Sequence, residues 1–495
     1  MYKRILKVIG HALYPNKVSG IGILAILVGF SIGAIGQDKP REIIEKTYQD
    51  MVPFVDVLSQ IQQSYVDVDK ADSQKLIQGA IKGMVSTLDP HSQFMDAEEY
   101  KELQTDTGGS FEGLGIEISI RSDVLTVVSP IEGTPAYKAG VKSGDKIIKI
   151  NGETTKDITI NEAVKKLRGP RGTQVTITIL RESVKEPFDI IVTRETIKMI
   201  SVQSYVLNGD IGYVRVRSFM EKTSADLEKA LKDLETSKVK ALILDLRGNP
   251  GGLLSSAVDV SCKFIGDGKL IVYTKGRIKE QNRNYYADSG AAPHPEPLVV
   301  LVNKGSASAS EIVTGVIQDS GRGVIIGSQT FGKGSVQSIY PMNNGAGLKL
   351  TTAYYYTPSG RLIHEKGIAP DVLVEDEPFI PESVWKLQYY EHFIHYAKKY
   401  IEEHKDITVD IKISEKIIQD FISFAKANGY TISDDDASKG KSFISRSIKM
   451  EIVRLLKNDD AAQVTALSED PVVLRAIDVL KGAEIIQKST PAVVK

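Results

Sequence analysis

Two stretches of this 495-residue chain, Val239–Leu246 and Leu298–Val302, are apolar at nearly every position. A strand with one wet face alternates in polarity. A strand apolar throughout is buried on both faces, as in a parallel sheet sandwiched between helices. Ile211–Val216 supplies a further strand, and helical spacing appears over Ser224–Leu234, Leu254–Phe264 and Glu311–Gln318. Strands alternating with helices make the segment from Ile200 to Val374 a layered α/β core.

A chain of 495 residues exceeds what one hydrophobic core supports, so about two to four domains are expected. Apolar residues at 42% and charged residues at 25% are ordinary for globular proteins and exclude wholesale disorder. With 62 basic and 63 acidic side chains the net charge is −1, so the concentrated positive surface that nucleic acid requires is not indicated. The single cysteine, Cys262, excludes an intrachain disulfide and a structural zinc site of the cysteine type.

The amino terminus carries its own signal. Lys3, Arg4, Lys7 and Lys17 precede an uncharged run from Val18 to Gly36, and Asp38 is the first acid. Nineteen residues at about 1.5 Å rise span roughly 28 Å, enough to cross a hydrocarbon core. The charge asymmetry places the amino terminus inside and the remaining chain outside. Ala34-Ile35-Gly36 could also be read as a signal-peptide cleavage site, so residues 1–37 are a signal anchor or a cleaved signal peptide.

Residues 38–107 show helical periodicity, with Val52, Val55, Leu58, Ile61 and Tyr65 on one face. Amphipathic helices at a terminus suggest a homodimer. Residues 108–195 change to β signals: Ile116–Ile120 alternates, Leu125–Val128 and Lys146–Ile150 follow, and Asn151-Gly152 marks a tight turn. A short helix capped by Thr159 or Asn161 runs to Leu167, and Thr173–Leu180 is a long strand. The α/β core occupies residues 196–378. Residues 379–495 read as helical, with Trp385–His404 the clearest helix and Asp434-Asp435-Asp436 to Lys441 a solvated loop.

Three segments carry chemistry-bearing residues. In Asn303-Lys304-Gly305-Ser306-Ala307-Ser308-Ala309-Ser310-Glu311 the chain passes from a buried strand into a helix. Backbone N–H groups converge at such a turn and stabilise an oxyanion, while Ala307 and Ala309 leave room around Ser308 for a substrate backbone. Taken alone, the segment is equally a Ser-rich helix cap. In Thr330-Phe331-Gly332-Lys333-Gly334-Ser335-Val336-Gln337 a lysine sits between glycines. Desolvation lowers a lysine pKa and makes it a base for a serine hydroxyl. Gln337 lies four residues on, so stacking on Lys333 predicts a helical turn; an extended strand would hold them roughly 13 Å apart. In Asp245-Leu246-Arg247-Gly248-Asn249-Pro250-Gly251-Gly252, Gly251 and Gly252 can present bare N–H groups to a carbonyl oxygen.

Together these segments resemble the carboxyl-terminal processing (tail-specific) peptidases of the S41 serine peptidase family. The likeness runs from about residue 45 to 375. It implies Ser308 as nucleophile, Lys333 as general base and Gln337 as its companion. The implied oxyanion hole is the Ala309 amide with an amide of Gly251 or Gly252, the choice remaining open. The module over 108–195 resembles a PDZ domain: Gly113, Leu114, Gly115 and Ile116 match its carboxylate-binding loop, and the next strand pairs with a peptide edge.

The expected architecture is therefore multidomain α/β, an α/β layered Ser/Lys peptidase core with an inserted β-rich PDZ domain and helical N- and C-terminal regions. The resemblance implies a serine endopeptidase acting near unstructured carboxyl-terminal tails of exported or membrane-attached proteins. It would sit at the bacterial inner membrane with the catalytic part outside the cytoplasm. An activating protein is a further expected partner, and no metal or organic cofactor is implied. Arg168, ending the PDZ helix, is a candidate to reach the catalytic face and couple PDZ occupancy to activation, or else a solvated helix-end cation. Two other readings stand beside this one: an inactive PDZ scaffold that binds tails, and a Ser-His-Asp protease using His91 or His364.

Overall fold

The computed structural model describes residues 41–489 apart from 122, 182–183, 289, 291, 376–379 and 390. The candidate membrane segment, Val18–Gly36, lies outside the described residues. Among those described, no helix is long and apolar enough to cross a membrane. The chain divides into two units, the first ending at Phe94 and the second running from Met95.

The first unit consists chiefly of α1 (Arg41–Ser64) and α2 (Ser73–Ser86). Asp72 caps α2 by accepting the Lys75 N–H. Val52, Val57 and Tyr65 on or just past α1, and Ile77 and Met84 on α2, remain exposed.

In the second unit α3 (Ala97–Gly108) leads into β1 (Ser110–Gly113) and an antiparallel sheet of five main strands, with the two-residue strand Glu153–Thr154 added at one of them. Its strands are β2 (Ile116–Arg121), β3 (Val124–Pro130), β4 (Lys146–Ile150), β5 (Gln174–Leu180) and β6 (Phe188–Thr193), in that order. Helix α4 (Ile160–Leu167) is started by a reciprocal cap between Thr159 and Glu162. Leu125, Val127, Ile147, Ala163, Ile177 and Ile179 form a core private to this domain. The chain leaves through β7 (Glu195–Lys198), which pairs antiparallel with β1. Entry and exit thus run side by side, as in a domain inserted into another.

The main sheet has the order β8 (Val202–Leu207), β9 (Ile211–Val216), β10 (Ala241–Asp245), β13 (Leu298–Val302), β14 (Val324–Gly327), β17 (Val372–Leu373), parallel from β9 onward. Helices α5 (Thr223–Thr236), α6 (Leu254–Ser261) and α7 (Ala309–Asp319) connect its strands. A second, antiparallel sheet orders β15 (Ser335–Pro341), β16 (Gly347–Tyr356), β11 (Leu270–Gly276) and β12 (Asn284–Tyr286).

The apolar runs of β10 and β13 are explained by what covers each face. Leu242, Leu244, Val300 and Val302 join a core with Leu227, Val260 and Ile312 of the connecting helices. Ile243, Val299 and Leu301 point the other way, into Leu467, Val473, Ala476, Ile477 and Leu480. The last five belong to α13 (Asp459–Ser468) and α14 (Pro471–Ser489). The second layer of the core is therefore built by the end of the chain.

Between the two lie α8 (Glu382–Tyr389), α9 (His392–Glu403), α10 (Glu415–Ala427), α11 (Asp434–Lys439) and α12 (Lys441–Leu456), with their own core around Phe393, Phe421 and Ile448. Two expectations are corrected here. The helix expected over Trp385–His404 is broken at Glu391, whose φ of 61° is left-handed and incompatible with a continuous right-handed helix. The acidic run Asp434–Asp436 is the first turn of α11: Ser433 accepts the Asp436 N–H, and three carboxylates suit the positive end of a helix.

Candidate active site

All three chemistry-bearing segments leave strand ends on one edge of the cores just described, and hydrogen bonds fasten them together. Ser308 is the N-cap of α7, with φ 55° and ψ −112°. A non-glycine residue there costs about 1–3 kcal/mol and persists only where its surroundings over-determine it. Those surroundings are the neighbouring serines. Ser306 Oγ donates to Leu246 O at 2.8 Å and Ser310 Oγ to Asn249 O at 2.9 Å, both from buried positions. The Asn303 carboxamide oxygen accepts Gly248 N at 2.9 Å and Gly305 N at 3.0 Å. In Ser306-Ala307-Ser308-Ala309-Ser310, the outer serines are struts to the 246–249 loop and the middle one is half-buried at the surface they create.

Glu311 joins the remaining pieces, and sequence reading gave it no role. Fully buried, its carboxylate accepts Ser308 N at 2.7 Å, Lys333 N at 2.9 Å, Gly332 N at 2.7 Å and Thr330 Oγ1 at 2.6 Å. One side chain holds the backbones of both Ser308 and Lys333. Burial pushes its carboxyl above the ordinary range, against the pull of those donors. Its sequence signal was present: Ser308-x-x-Glu311 is the spacing of a capping box, in which the third helical residue reaches back to the N-cap amide.

Lys333 is half-buried, and its ammonium is held below the ordinary lysine range by desolvation and secondarily by the like charge of Lys349. Backbone packs directly against its flanks: a Cβ on Gly334 would lie 2.2 Å from His364 N, so no larger residue fits. The Gly334 carbonyl accepts Tyr355 N at 2.7 Å and the Gly332 carbonyl accepts Glu365 N at 2.8 Å.

The helical turn expected over 333–337 is not present. Gln337 lies in β15, opposite Thr351 of β16, beside a bulge between Val336 and Gln337. One side-chain contact contributes about 1 kcal/mol, whereas Ser335–Pro341 gains a whole ladder on β16, so the strand wins. The Gln337 amide donates to Thr351 Oγ1 at 2.8 Å and Ser335 Oγ at 3.3 Å, and its buried Oε1 has no hydrogen-bond partner among the described residues.

The two glycines separate cleanly. Gly251 N is committed to Asn249 Oδ1 at 2.9 Å, and its carbonyl accepts Phe219 N at 2.9 Å. The Gly252 amide, at an exposed position, donates to no group among the described residues, and neither does the Ala309 amide at the start of α7. Both positions exclude a side chain: a Cβ on Gly251 would lie 2.8 Å from Ser308 Cβ, and one on Gly252 would lie 2.1 Å from Phe219 O. The root of this loop is anchored by Asp245, buried in β10. Asp245 accepts from Tyr213 Oη at 2.6 Å and from the Arg247 side chain at 2.7 Å, and Arg247 also pairs with Asp470 of the C-terminal region at 2.8 Å. Burial opposes the Asp245 charge, yet Arg247 and the hydrogen bonds hold its carboxyl below the ordinary range.

No hydrogen bond, ion pair or ring contact joins Arg168 to these segments among the described residues. Its guanidinium lies 4.8 Å above the Phe111 ring, at the mouth of a groove lined by Ile116 and Ile118 of β2, Val164 and Leu167 of α4, and the Gly113–Gly115 loop. The His364 ring lies tilted against Tyr354, with centroids 4.7 Å apart, and its buried Nδ1 has no hydrogen-bond partner among the described residues; His91 belongs to the first unit, its backbone N–H donating to Asp89. No group of three or more potential metal ligands occurs among the described residues.

Comparison with known proteins gives three sequence-model matches. Peptidase family S41 matches residues 210–374, a PDZ domain residues 126–181, and the activating protease CtpB N-terminal domain residues 34–99. The carboxy-terminal-processing protease of Bartonella bacilliformis is 46% identical over 365 residues, 73% of this chain and 83% of that protein. The carboxy-terminal processing protease CtpA of Bacillus subtilis is 37% identical over 374 residues, 74% and 78% of the two chains. Among solved structures, the photosystem II D1 C-terminal processing protease aligns at TM-score 0.40 and 29% identity, over 66% of this chain and 93% of its own.

Proposed function

The chain belongs to the carboxy-terminal processing proteases of peptidase family S41, and on that premise we propose that it cleaves exported or membrane-attached proteins near their carboxyl-terminal tails through a Ser308/Lys333 dyad. The carrying observation is the Glu311 carboxylate, which fixes the backbones of both residues to one point. Desolvation, and secondarily Lys349, hold the Lys333 ammonium below the ordinary lysine range, which raises the share of neutral amine that serine activation requires.

In the proposed cycle Ser308 Oγ attacks the scissile carbonyl carbon while its proton passes to Lys333 Nζ. The oxyanion is received by the amides of Ala309 and Gly252, the two left uncommitted, rather than by Gly251. Lys333 returns the proton to the departing amine. Water then attacks the acyl-enzyme, again with Lys333 as base, and frees Ser308. The partnerless Oε1 of Gln337 is the acceptor that orients the Lys333 ammonium.

The PDZ groove would hold the free tail, its carboxylate at Gly113–Ile116 and within reach of Arg168. From there Arg168 is the candidate to signal occupancy; unchanged cleavage of a tailed substrate by Arg168→Ala removes it from that role. The exposed apolar side chains of α1 and α2 support a homodimer, and an activating protein remains a proposed partner.

The test is cleavage of an unstructured, apolar-tailed protein by the fragment from residue 38, beside Ser308→Ala and Lys333→Ala with folding checked by circular dichroism. Cleavage by wild type alone is expected. Cleavage by folded Lys333→Ala would overturn the dyad and move attention to His364 and His91. Tail binding without cleavage by wild type would favour the scaffold reading.

A further inference from the structure

The helices beyond residue 380 lie past the S41 match, and one corner of them touches the PDZ domain where a bound tail would continue. Strand β2 is the outer strand of its sheet, paired among the described residues on one side only, with β3. Backbone groups of an antiparallel strand face one side and then the other, residue by residue. Val127 of β3 faces β4: its N–H donates to Asp145 O at 2.8 Å and its carbonyl accepts Gly144 N at 2.9 Å. Its neighbour Thr126 therefore faces β2, where Ser119 is its partner. Ser119 points inward, so Ile118 and Ile120, and by the same alternation Ile116, turn their N–H and C=O groups to the open edge.

The far end of that edge is already taken. The Ile120 carbonyl accepts the Tyr389 hydroxyl. Beside it Arg121 pairs with Glu391, Nη1 to Oε1 at 2.7 Å, and the Arg121 guanidinium lies 5.6 Å from the Tyr389 ring centroid. These side chains of Arg121 and Glu391 are only 19% and 32% exposed, so the pair is partly shielded from solvent. Tyr389 and Glu391 stand on either side of the break between α8 and α9, and the left-handed Glu391 forms that corner.

We propose that the Tyr389–Glu391 corner is a stop that sets how much of a substrate tail the PDZ groove can read. The inference rests on the tail-binding reading above. With its carboxylate at the start of β2, a tail runs antiparallel to the strand, its last residue beside Ile116. Four steps of about 3.3 Å bring it to Ile120, so roughly five residues pair with the edge before Tyr389 ends the row of free acceptors. Residues further upstream turn off the sheet. Recognition is thus confined to the extreme carboxyl end, and the sequence above it is left unread by the groove.

The test uses the full-length protein, purified in detergent and carrying Ser308→Ala, so that tails bind without being cut. Fluorescent peptides with an apolar carboxyl end are lengthened one residue at a time from about three to about nine, and affinity is read by anisotropy. Affinity should climb to about the fifth residue and then level off. Adding Tyr389→Ala should let it keep climbing, to a gain of about fivefold for the longest tail, with the shortest tails unchanged. Tyr389→Phe, which drops only the hydroxyl, should change affinity in the same direction by less, and it decides the question if the alanine variant fails a thermal-melt check of folding. Affinity that climbs with length without a plateau, or a plateau that survives in folded variants, overturns the stop while tail binding stands. If carboxyl-amidated tails bind as well as free acids, or no tail binds, the tail-binding reading fails and the stop falls with it.

Discussion

A single buried carboxylate, Glu311, does the most at the residue scale, because it accepts from both segments on which catalysis would depend. Glu311→Gln keeps the shape but turns one acceptor into a donor facing donors, and each orphaned buried group costs about 1–3 kcal/mol. Turnover should fall by about tenfold or more with a lowered Tm, while tail affinity of the PDZ domain stays the same; full activity would remove Glu311 from the assembly. Lys333 offers a prediction with a definite sign. Its folded pKa is depressed, so the neutral amine appears as pH rises, and activity should rise to a plateau with a midpoint below the ordinary lysine range. Lys349 contributes to that depression through like charge. Lys349→Ala should therefore shift the midpoint upward, and an unmoved midpoint would leave desolvation as the whole cause.

The decisive surprises at the element scale are a strand and a helix. Ser335–Pro341 carries Gln337 on a hairpin because the β16 ladder outweighs one local amide contact. Helix α14, part of a region that sequence reading left without a role, packs five buried residues into the second core layer. Leu480, 4% exposed, packs there against the buried face of the main sheet. Leu480→Ala should cost about 2–5 kcal/mol, read as a shift in denaturant midpoint of the peptidase unit. A change confined to the C-terminal helices, leaving the main sheet's transition in place, would refute the packing role.

For the whole molecule, the proposed scheme places a tethered protease outside the cytoplasm, with a tail reader inserted into its core. The basic residues before Val18–Gly36 and the acids after it argue for that orientation. In cells, the chain should fractionate with membranes, and its catalytic part should be degraded by added protease only once the outer envelope is opened. Degradation only after lysis of the inner membrane would place it in the cytoplasm instead. The C-terminal region binds this arrangement together: Asp470 pairs with Arg247 at the root of the glycine loop, and Tyr389 meets the PDZ edge.

Local pattern determined a good deal by itself. The continuous apolar runs declared a sheet buried on both faces, with β13 falling on Leu298–Val302 and β9 on Ile211–Val216 as spacing predicts. Serine, glycine and lysine in three short segments marked the ends of those strands, because each segment's constraint is written in neighbouring residues. Tertiary structure alone decided what covers the second face of the sheet, which glycine amide is uncommitted, and what Ser306, Ser310 and Glu311 hold. It also decided that the Arg168 guanidinium lies over the Phe111 ring and that Gln337 is on a strand. The physical reason is distance along the chain: periodicity and capping report contacts within a turn or a strand. A carboxylate reaching from 311 to the amides of 332 and 333, or a hydroxyl reaching from 389 to 120, leaves no local trace in either segment.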